Sequence, residues 1–309
     1  MNQADGNEEA IQMRKDLARR IAAHAPQQGC NPSAIAGLEL FRRSTPTACS
    51  LAKYEPSISV FVQGRKRVNL GGTVYHCDAS SFLLSSIDVP AESQIVEASE
   101  QVPLLSLFLR LDMPMVREVI SCEELPVAWT EARGLAVGET TAGLLGACSR
   151  LIDLLEAPED IPFLGHLVQR EIVYRVLRTP QGERLRAIAT TGNLSNRTAK
   201  AIVWLKANYA KPLHMEELAD VARMGVSTLH HQFRALTAMS PLQYQKQLRL
   251  HAARQRMLID GLDATSAAFE VGYESVSQFN REYSRMFGQP PMRDVKALLA
   301  TSPASLSLA

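Results

Sequence analysis

The strongest constraint on this chain is a repeat in its C-terminal third. Met215, Leu218, Ala219 and Ala222 occupy positions i, i+3, i+4 and i+7 of one helix, and Ala264, Ala267, Ala268 and Val271 repeat that spacing 49 residues later. A break containing a glycine follows each, Gly225 in the first unit and Gly272 in the second. A second amphipathic helix then presents Leu229, Phe233 and Leu236, and 50 residues further on Phe279, Tyr283 and Met286. Ser240-Pro241 closes the first unit and Gln289-Pro290-Pro291 the second. Helix, tight turn and second helix, occurring twice, predict an all-α domain with two helix-turn-helix units. Amphipathic hairpins also build plain helical bundles, so the repeat alone leaves DNA binding open.

Two features of the same residues favour DNA. The outward positions of the second helices carry Ser227, Thr228, His230, His231 and Arg234, then Ser275, Ser277, Gln278, Asn280 and Arg281. These are hydrogen-bonding groups with few acids among them, and a carboxylate would be repelled by phosphate. The whole chain has a net charge of +1, but residues 195–296 hold 14 Lys or Arg against 9 Asp or Glu, so basic charge is concentrated where a phosphate-facing surface needs it. Between the units, residues 242–257 read as one helix with Tyr244, Leu248 and Ala252 on one side and Lys246, Arg249, Arg254 and Arg256 supplying charge. Sixteen residues span ~24 Å, comparable with the ~34 Å of one DNA turn, so two recognition helices could enter successive major grooves.

The segments STLHHQF, SPLQYQKQLRLHAARQRML and VGYESVSQFNREYSRMFGQPP resemble the DNA-binding domain of the AraC/XylS family over about 100 residues. The resemblance implies that Ser227, His230 and His231 contact bases and that Thr228 and Arg234 contact the backbone. In the second unit it places Val276, Ser277, Gln278, Asn280 and Arg281 at the groove. Gly225 departs from the family's usual serine cap and Val276 is apolar at a groove position. A glycine cap costs only a few tenths of a kcal/mol. The resemblance further implies double-stranded promoter DNA and RNA polymerase as partners, an activator role and no enzymatic activity.

The N-terminal half has another period. Ile58, Val60 and Val62 alternate with Ser57, Ser59 and Phe61; Val68 and Leu70 precede a Gly71-Gly72 turn; Leu105, Leu107, Leu109 and Leu111 alternate again. The residues predict a small antiparallel barrel or sandwich, followed by helices from Asp112-Met113-Pro114 onwards. KYEPSISVFVQGRKRVNLGGTVYHCDASSFLLSSIDVP and PEDIPFLGHLVQREIVYRVLRTPQGERLRAIA resemble the cupin-like N-terminal domain of one subgroup of the same family. The fold class expected is α+β: a polar, helical segment (1–30), a cupin-like antiparallel sensor barrel (31–112) and a helical connecting subdomain (113–190). A DNA-binding domain (191–297) and a flexible tail (298–309) complete it.

A sensor domain calls for an effector site, and Tyr54, Phe61, Gln63 and Tyr75 are its candidates by strand position. A small-molecule effector competes with regulation by protein contact or expression level. His76 is the one histidine in residues 37–112, too few for a cupin metal site, so no metal or cofactor is expected. The five cysteines form no C-x-x-C pair; Cys30 and Cys77 are candidate reactive thiols, against the plainer role of small apolar residues. Leu144, Cys148, Leu151 and Leu155 make one helical stripe that either packs within the chain or forms a homodimer seam. No apolar run approaches a membrane span, and Met1 to Ala10 is polar rather than signal-like, which predicts a cytoplasmic protein.

Overall fold

The computed structural model describes residues 3–122, 133–190 and 192–301. The chain divides into two units, Met1–Asn196 and Arg197–Ala309, the division falling within the helix Leu194–Asn208. The expected tail at 298–309 lies outside the described residues from 302 onwards.

The first unit begins with α1 (Gln3–His24). The strands β1 (Gly29–Pro32), β2 (Leu38–Arg43), β3 (Ser50–Tyr54), β4 (Ser57–Gln63) and β5 (Arg65–Leu70) follow. Then come β6 (Thr73–Cys77), β7 (Ser81–Ser85), β8 (Val89–Glu97) and β9 (Leu104–Arg110). After α2 (Met113–Ser121) a further strand, β10 (Leu135–Glu139), precedes α3 (Ala142–Asp153), α4 (His166–Leu177) and α5 (Gly182–Ala189). A 3-10 turn at Pro158–Asp160 and a π-helical turn at Ile161–Gly165 lead into α4.

The strands pair antiparallel into two sheets, one in the order β1-β2-β9-β4-β7-β10 and one in the order β3-β8-β5-β6. Each sheet has two unpaired edges, so neither closes on itself, and the cupin-like barrel expected over 31–112 is corrected to two open sheets. Helices cover one sheet face where closure would otherwise have to protect it: α1 packs on β2, β4 and β9 and against α3, which packs on α4. β10 lies outside the strand region expected from the sequence. It returns from beyond α2 to pair with β7, and a Cβ at its Gly138 would lie 2.5 Å from the Phe82 ring, so glycine is what lets the strand settle there.

The pleat explains the core. Leu38, Leu109, Ile58 and Leu84 lie in register across four strands and point to one face, and Leu40, Leu107, Val60 and Phe82 form the next row. All eight are buried in a cluster that also contains Leu17 and Ile21 of α1, Met115 and Val116 of α2 and Val173 and Val176 of α4. Leu144, Cys148 and Leu151 belong to the same cluster and Leu155 packs at its margin. The stripe offered by the sequence as a dimer seam is therefore covered within its own chain. The opposite face of the six-stranded sheet carries Phe61, Leu83 and Leu104, which are also buried.

The N-terminal helix is thus part of the core rather than an appendage. Leu17→Ala should lower the stability of the first unit by about 2–5 kcal/mol through lost burial and a residual cavity. Urea unfolding followed by far-UV circular dichroism measures this; a loss below about 0.5 kcal/mol would show α1 to be only loosely docked.

Candidate nucleic-acid interface

The second unit contains most of α6 (Leu194–Asn208), then α7 (Met215–Ala222), α8 (Val226–Thr237), α9 (Pro241–Ile259), α10 (Ala264–Glu270), α11 (Val276–Phe287) and α12 (Pro291–Thr301). The internal repeat is visible bond by bond. In the first turn Arg223 N–H donates to Asp220 O and Met224 N–H to Ala219 O; in the second Gly272 N–H donates to Phe269 O and Tyr273 N–H to Ala268 O. The counterpart of Gly272, with φ 90°, is therefore Arg223, with φ 51°, and not Gly225 as the paired glycines suggest. Gly225 is instead the N-cap of α8, where it makes no side-chain cap bond, and its partner in the repeat is Ser275, whose hydroxyl accepts from Gln278 N–H and caps α11. The one-residue lengthening of the repeat from 49 to 50 falls between these positions.

Each unit buries the face its spacing predicts. Leu218, Ala219, Ala222, Leu229 and Phe233 are buried in the first, where Phe233 meets Tyr244 edge to face at 5.5 Å. In the second, Ala267, Ala268, Val271, Phe279 and Tyr283 cluster with Leu250, Ala253 and Met257 of α9.

Burial of one face turns the other outward. Ser227, Thr228, His230, His231 and Arg234 are all exposed on α8. On α11, Ser277, Asn280 and Arg281 are exposed, while Val276 and Gln278 are half-buried. Gln278 Nε2 donates to Glu282 Oε1 at 3.2 Å.

The charges of α9 have another use than the one the sequence suggests. Lys246 Nζ donates to Glu282 Oε1 at 2.7 Å, Arg254 bonds both oxygens of Asp294 at 2.8 and 2.9 Å, and Arg256 pairs with Asp260 at 3.0 Å. Arg249 gives its Nε proton to Tyr209 O at 2.7 Å and its Nη protons to Gly272 O at 2.8 Å and Lys211 O at 2.9 Å. Burial lowers the affinity of this guanidinium for its proton. Lys246, Arg249 and Arg254 tie α9 to its neighbours, Arg256 stays half-exposed, and Arg234, Arg281 and Arg285 are exposed on α8 and α11. Buried Glu282 loses solvation, but bonds from Lys246, Tyr273 and Gln278 outweigh that loss and hold its carboxyl below the usual range.

The sensor candidates do not converge. Gln63 lines one cavity of about 590 Å³ and donates to Pro103 O; Tyr75, half-buried, lines a different cavity of about 590 Å³. Tyr54 and Phe61 are buried and line neither, Tyr54 lying beneath the Lys66 ammonium at 5.3 Å. Burial pushes the Cys30 thiol up to about 12, assisted by its hydrogen bond to the Glu39 carboxylate, and burial pushes Cys77 up to about 12 as well. A thiol so held is a poor nucleophile at neutral pH. Among the described residues no three His, Cys, Asp or Glu side chains are grouped to hold a metal ion, and no helix is long and apolar enough to cross a membrane.

Comparison with known proteins completes the picture. Residues 34–184 match the AraC-type transcriptional regulator N-terminus, and residues 218–297 match a helix-turn-helix domain. The chain belongs to the AraC/XylS family. The HTH-type transcriptional activator RhaS of Yersinia pestis (strain Pestoides F) is 33% identical over 96 residues, covering 31% of this chain and 35% of RhaS. RhaS of Pectobacterium atrosepticum is 32% identical over 110 residues, 35% of this chain and 39% of RhaS. The chain thus spans little more than a third of the length of these curated relatives. An apo variant of ToxT from Vibrio cholerae strain SCE256 shares the fold, with a TM-score of 0.57 at 11% identity over 86% of this chain and 99% of ToxT. The unsaturated fatty acid-bound wild-type ToxT gives 0.55 at 11% identity over 84% and 94%.

Ala238 closes α8 with φ 63°, at the place where Gly288 closes α11 with φ 79°. An alanine there carries a Cβ penalty that glycine lacks. Ala238→Gly should raise unfolding stability by about 0.5–1 kcal/mol. Chemical denaturation measures it, and a decrease would contradict the assignment. For Glu282, whose folded pKa is depressed, the stabilisation is present above the unfolded value, roughly 4.3, and is lost as pH falls through the lower folded value. Glu282→Gln should cost about 1–3 kcal/mol at pH 7 and give a shallower loss of stability between about pH 5 and 3; parallel acid limbs for the two proteins would rule this out.

Proposed function

We propose that this chain is a sequence-specific DNA-binding transcriptional regulator. Residues 191–297 form its DNA-binding domain and the first unit receives a signal. The observation that carries the reading is the division of charge in the second unit: cations of α9 are engaged internally, whereas Arg234 and Arg281 stand exposed among hydroxyl, amide and imidazole groups on α8 and α11. Arginine beside short hydrogen-bonding groups on a helix face suits a major groove, where phosphates position the helix and base edges specify sequence. Ser227, His230, His231, Ser277, Gln278 and Asn280 read bases, Thr228 and Arg234 hold the backbone, and Val276 offers an apolar contact to a thymine methyl. α9, at 19 residues, is ~28 Å long and spaces the two units along about one helical turn.

The RhaS relatives are named activators, which favours activation and a contact with RNA polymerase at the promoter. A ToxT structure is named as bound to an unsaturated fatty acid, which favours a small-molecule effector here too. Residues 31–112 carry that sensor role and 113–190 the helical connection. Leu144, Cys148 and Leu151 serve the internal core in this reading, so dimerisation does not depend on them.

Gel shifts of the purified protein on a promoter fragment and on random DNA, across a salt series, test the proposal. Promoter binding should be tighter by a factor of about 10³ or more and fall steeply with salt. Arg281→Ala should weaken promoter binding about tenfold or more. Equal affinity for promoter and random DNA would refute the reading.

A further inference from the structure

The two core rows of the six-stranded sheet are followed by a third that breaks the pattern. Arg42 is the next inward position of β2 after Leu38 and Leu40, and it lies opposite Leu105 of β9. On the far side Leu105 lies opposite Gln63 of β4, because a bulge between Phe61 and Gln63 leaves Val62 as the extra residue. The row therefore runs guanidinium, leucine, carboxamide where its predecessors are wholly apolar. Above it, α1 turns a face of Ile11, Arg14, Lys15, Ala18 and Ala22, spaced as one side of a helix. The two alanines leave room, and the result is the cavity of about 590 Å³ that Gln63 lines.

Its electrostatics are one-sided. Arg14, Lys15, Arg19 and Arg42 line the cavity against a single carboxylate, Glu100. Arg19 is engaged by Asp16 at 2.5 Å, and Arg14 reaches Thr140 Oγ1 at 3.5 Å while its charge helps to lower Asp78, whose oxygen bonds Ser80. Arg42 also lines the cavity, and its guanidinium has no ion pair or side-chain hydrogen bond among the described residues. A guanidinium fork matches a carboxylate in two parallel bonds. The wall beside it is apolar, with Val62 and Leu105 buried and Ala18 and Ala22 above them.

We propose that this cavity binds an organic monocarboxylate with an apolar body, its carboxylate on Arg42 with Arg14 and Lys15 nearby and its body along Ala18, Ala22, Val62 and Leu105. The site deepens the reading of the first unit as a sensor by naming the chemical class it takes, and it rests on that reading only for its regulatory meaning. Binding ties α1 to the sheet whose core α1 covers.

The test uses the full-length protein without DNA, by calorimetric titration and thermal unfolding, with 1-naphthaleneacetate, decanoate and the neutral 1-naphthaleneacetamide. At least one carboxylate should bind saturably and raise Tm in a concentration-dependent way, with the amide about tenfold weaker or worse. Arg42→Met should weaken carboxylate binding about tenfold, and Ala22→Phe, which fills the cavity from the partly exposed face of α1, should abolish it. Circular dichroism identifies the folded variants, and Ala22→Phe decides the matter if Arg42→Met does not fold. Absence of saturable binding by both carboxylates, equal binding of acid and amide, or binding unaffected in the folded variants would overturn the proposal. Because DNA is absent, such a failure leaves promoter recognition standing, and failed promoter recognition leaves carboxylate binding standing.

Discussion

The second unit depends on one guanidinium. Arg249, near the middle of α9, bonds the carbonyls of Tyr209 and Lys211 just beyond α6 and the carbonyl of Gly272 in the turn between α10 and α11. Carbonyls at a helix end have no partner in their own helix, and a buried one left bare is costly. By satisfying them from a third element, Arg249 joins the approach to the first helix-turn-helix to the turn of the second. Gly272 lets this junction close: a Cβ there would stand 2.0 Å from Ala210 O. Gln245, one turn earlier on α9, adds bonds to Tyr209 O and Lys211 O. Two recognition helices can be held at a set spacing only if the connecting helix is anchored at both, and these bonds anchor it.

The same economy governs the other charges. Glu282 and Asp294 are buried carboxylates on α11 and α12, and each collects one cation of α9 and one tyrosine hydroxyl, Lys246 with Tyr273 and Arg254 with Tyr283. A buried ion pair adds little net stability but punishes misplacement of either partner. These two fix the rotation of α9 relative to α11 and α12. The positive balance of residues 195–296 is thus partly internal, and fewer of its cations are free at the surface than a count implies.

In the first unit the governing constraint is the pleat. Two inward rows of four apolar residues build the core under α1, and the third row, opening with Arg42, ends it. A barrel would have protected such rows by closing on itself. Here α1, α2, α3 and α4 supply the cover for one face of the six-stranded sheet, which is why the stripe on α3 lies inside the chain.

Local periodicity and turn chemistry are legible in the chain itself, because they depend on residues within one or two turns of each other. The helical repeat, the strands β4 and β9 and the outward faces of α8 and α11 follow from spacing alone. Sheet closure, the return of β10 and the destination of α1 depend on pairings between residues far apart in the chain, for which one sequence carries no signal. The equivalence of Gly272 with Arg223 is hidden from the sequence for a related reason: residue type points to glycine, whereas backbone angle and hydrogen bonding decide which position adopts φ > 0. The alternation of β2 already placed Arg42 on the core side, yet only the packing of α1 above it made that position a cavity. The chain alone therefore determined that there are two helix-turn-helix units and which faces they present. Tertiary structure decided which cations stay at the surface, whether the sheets close and where a cavity forms, because each of these is settled by the partner a side chain meets rather than by its neighbours in sequence.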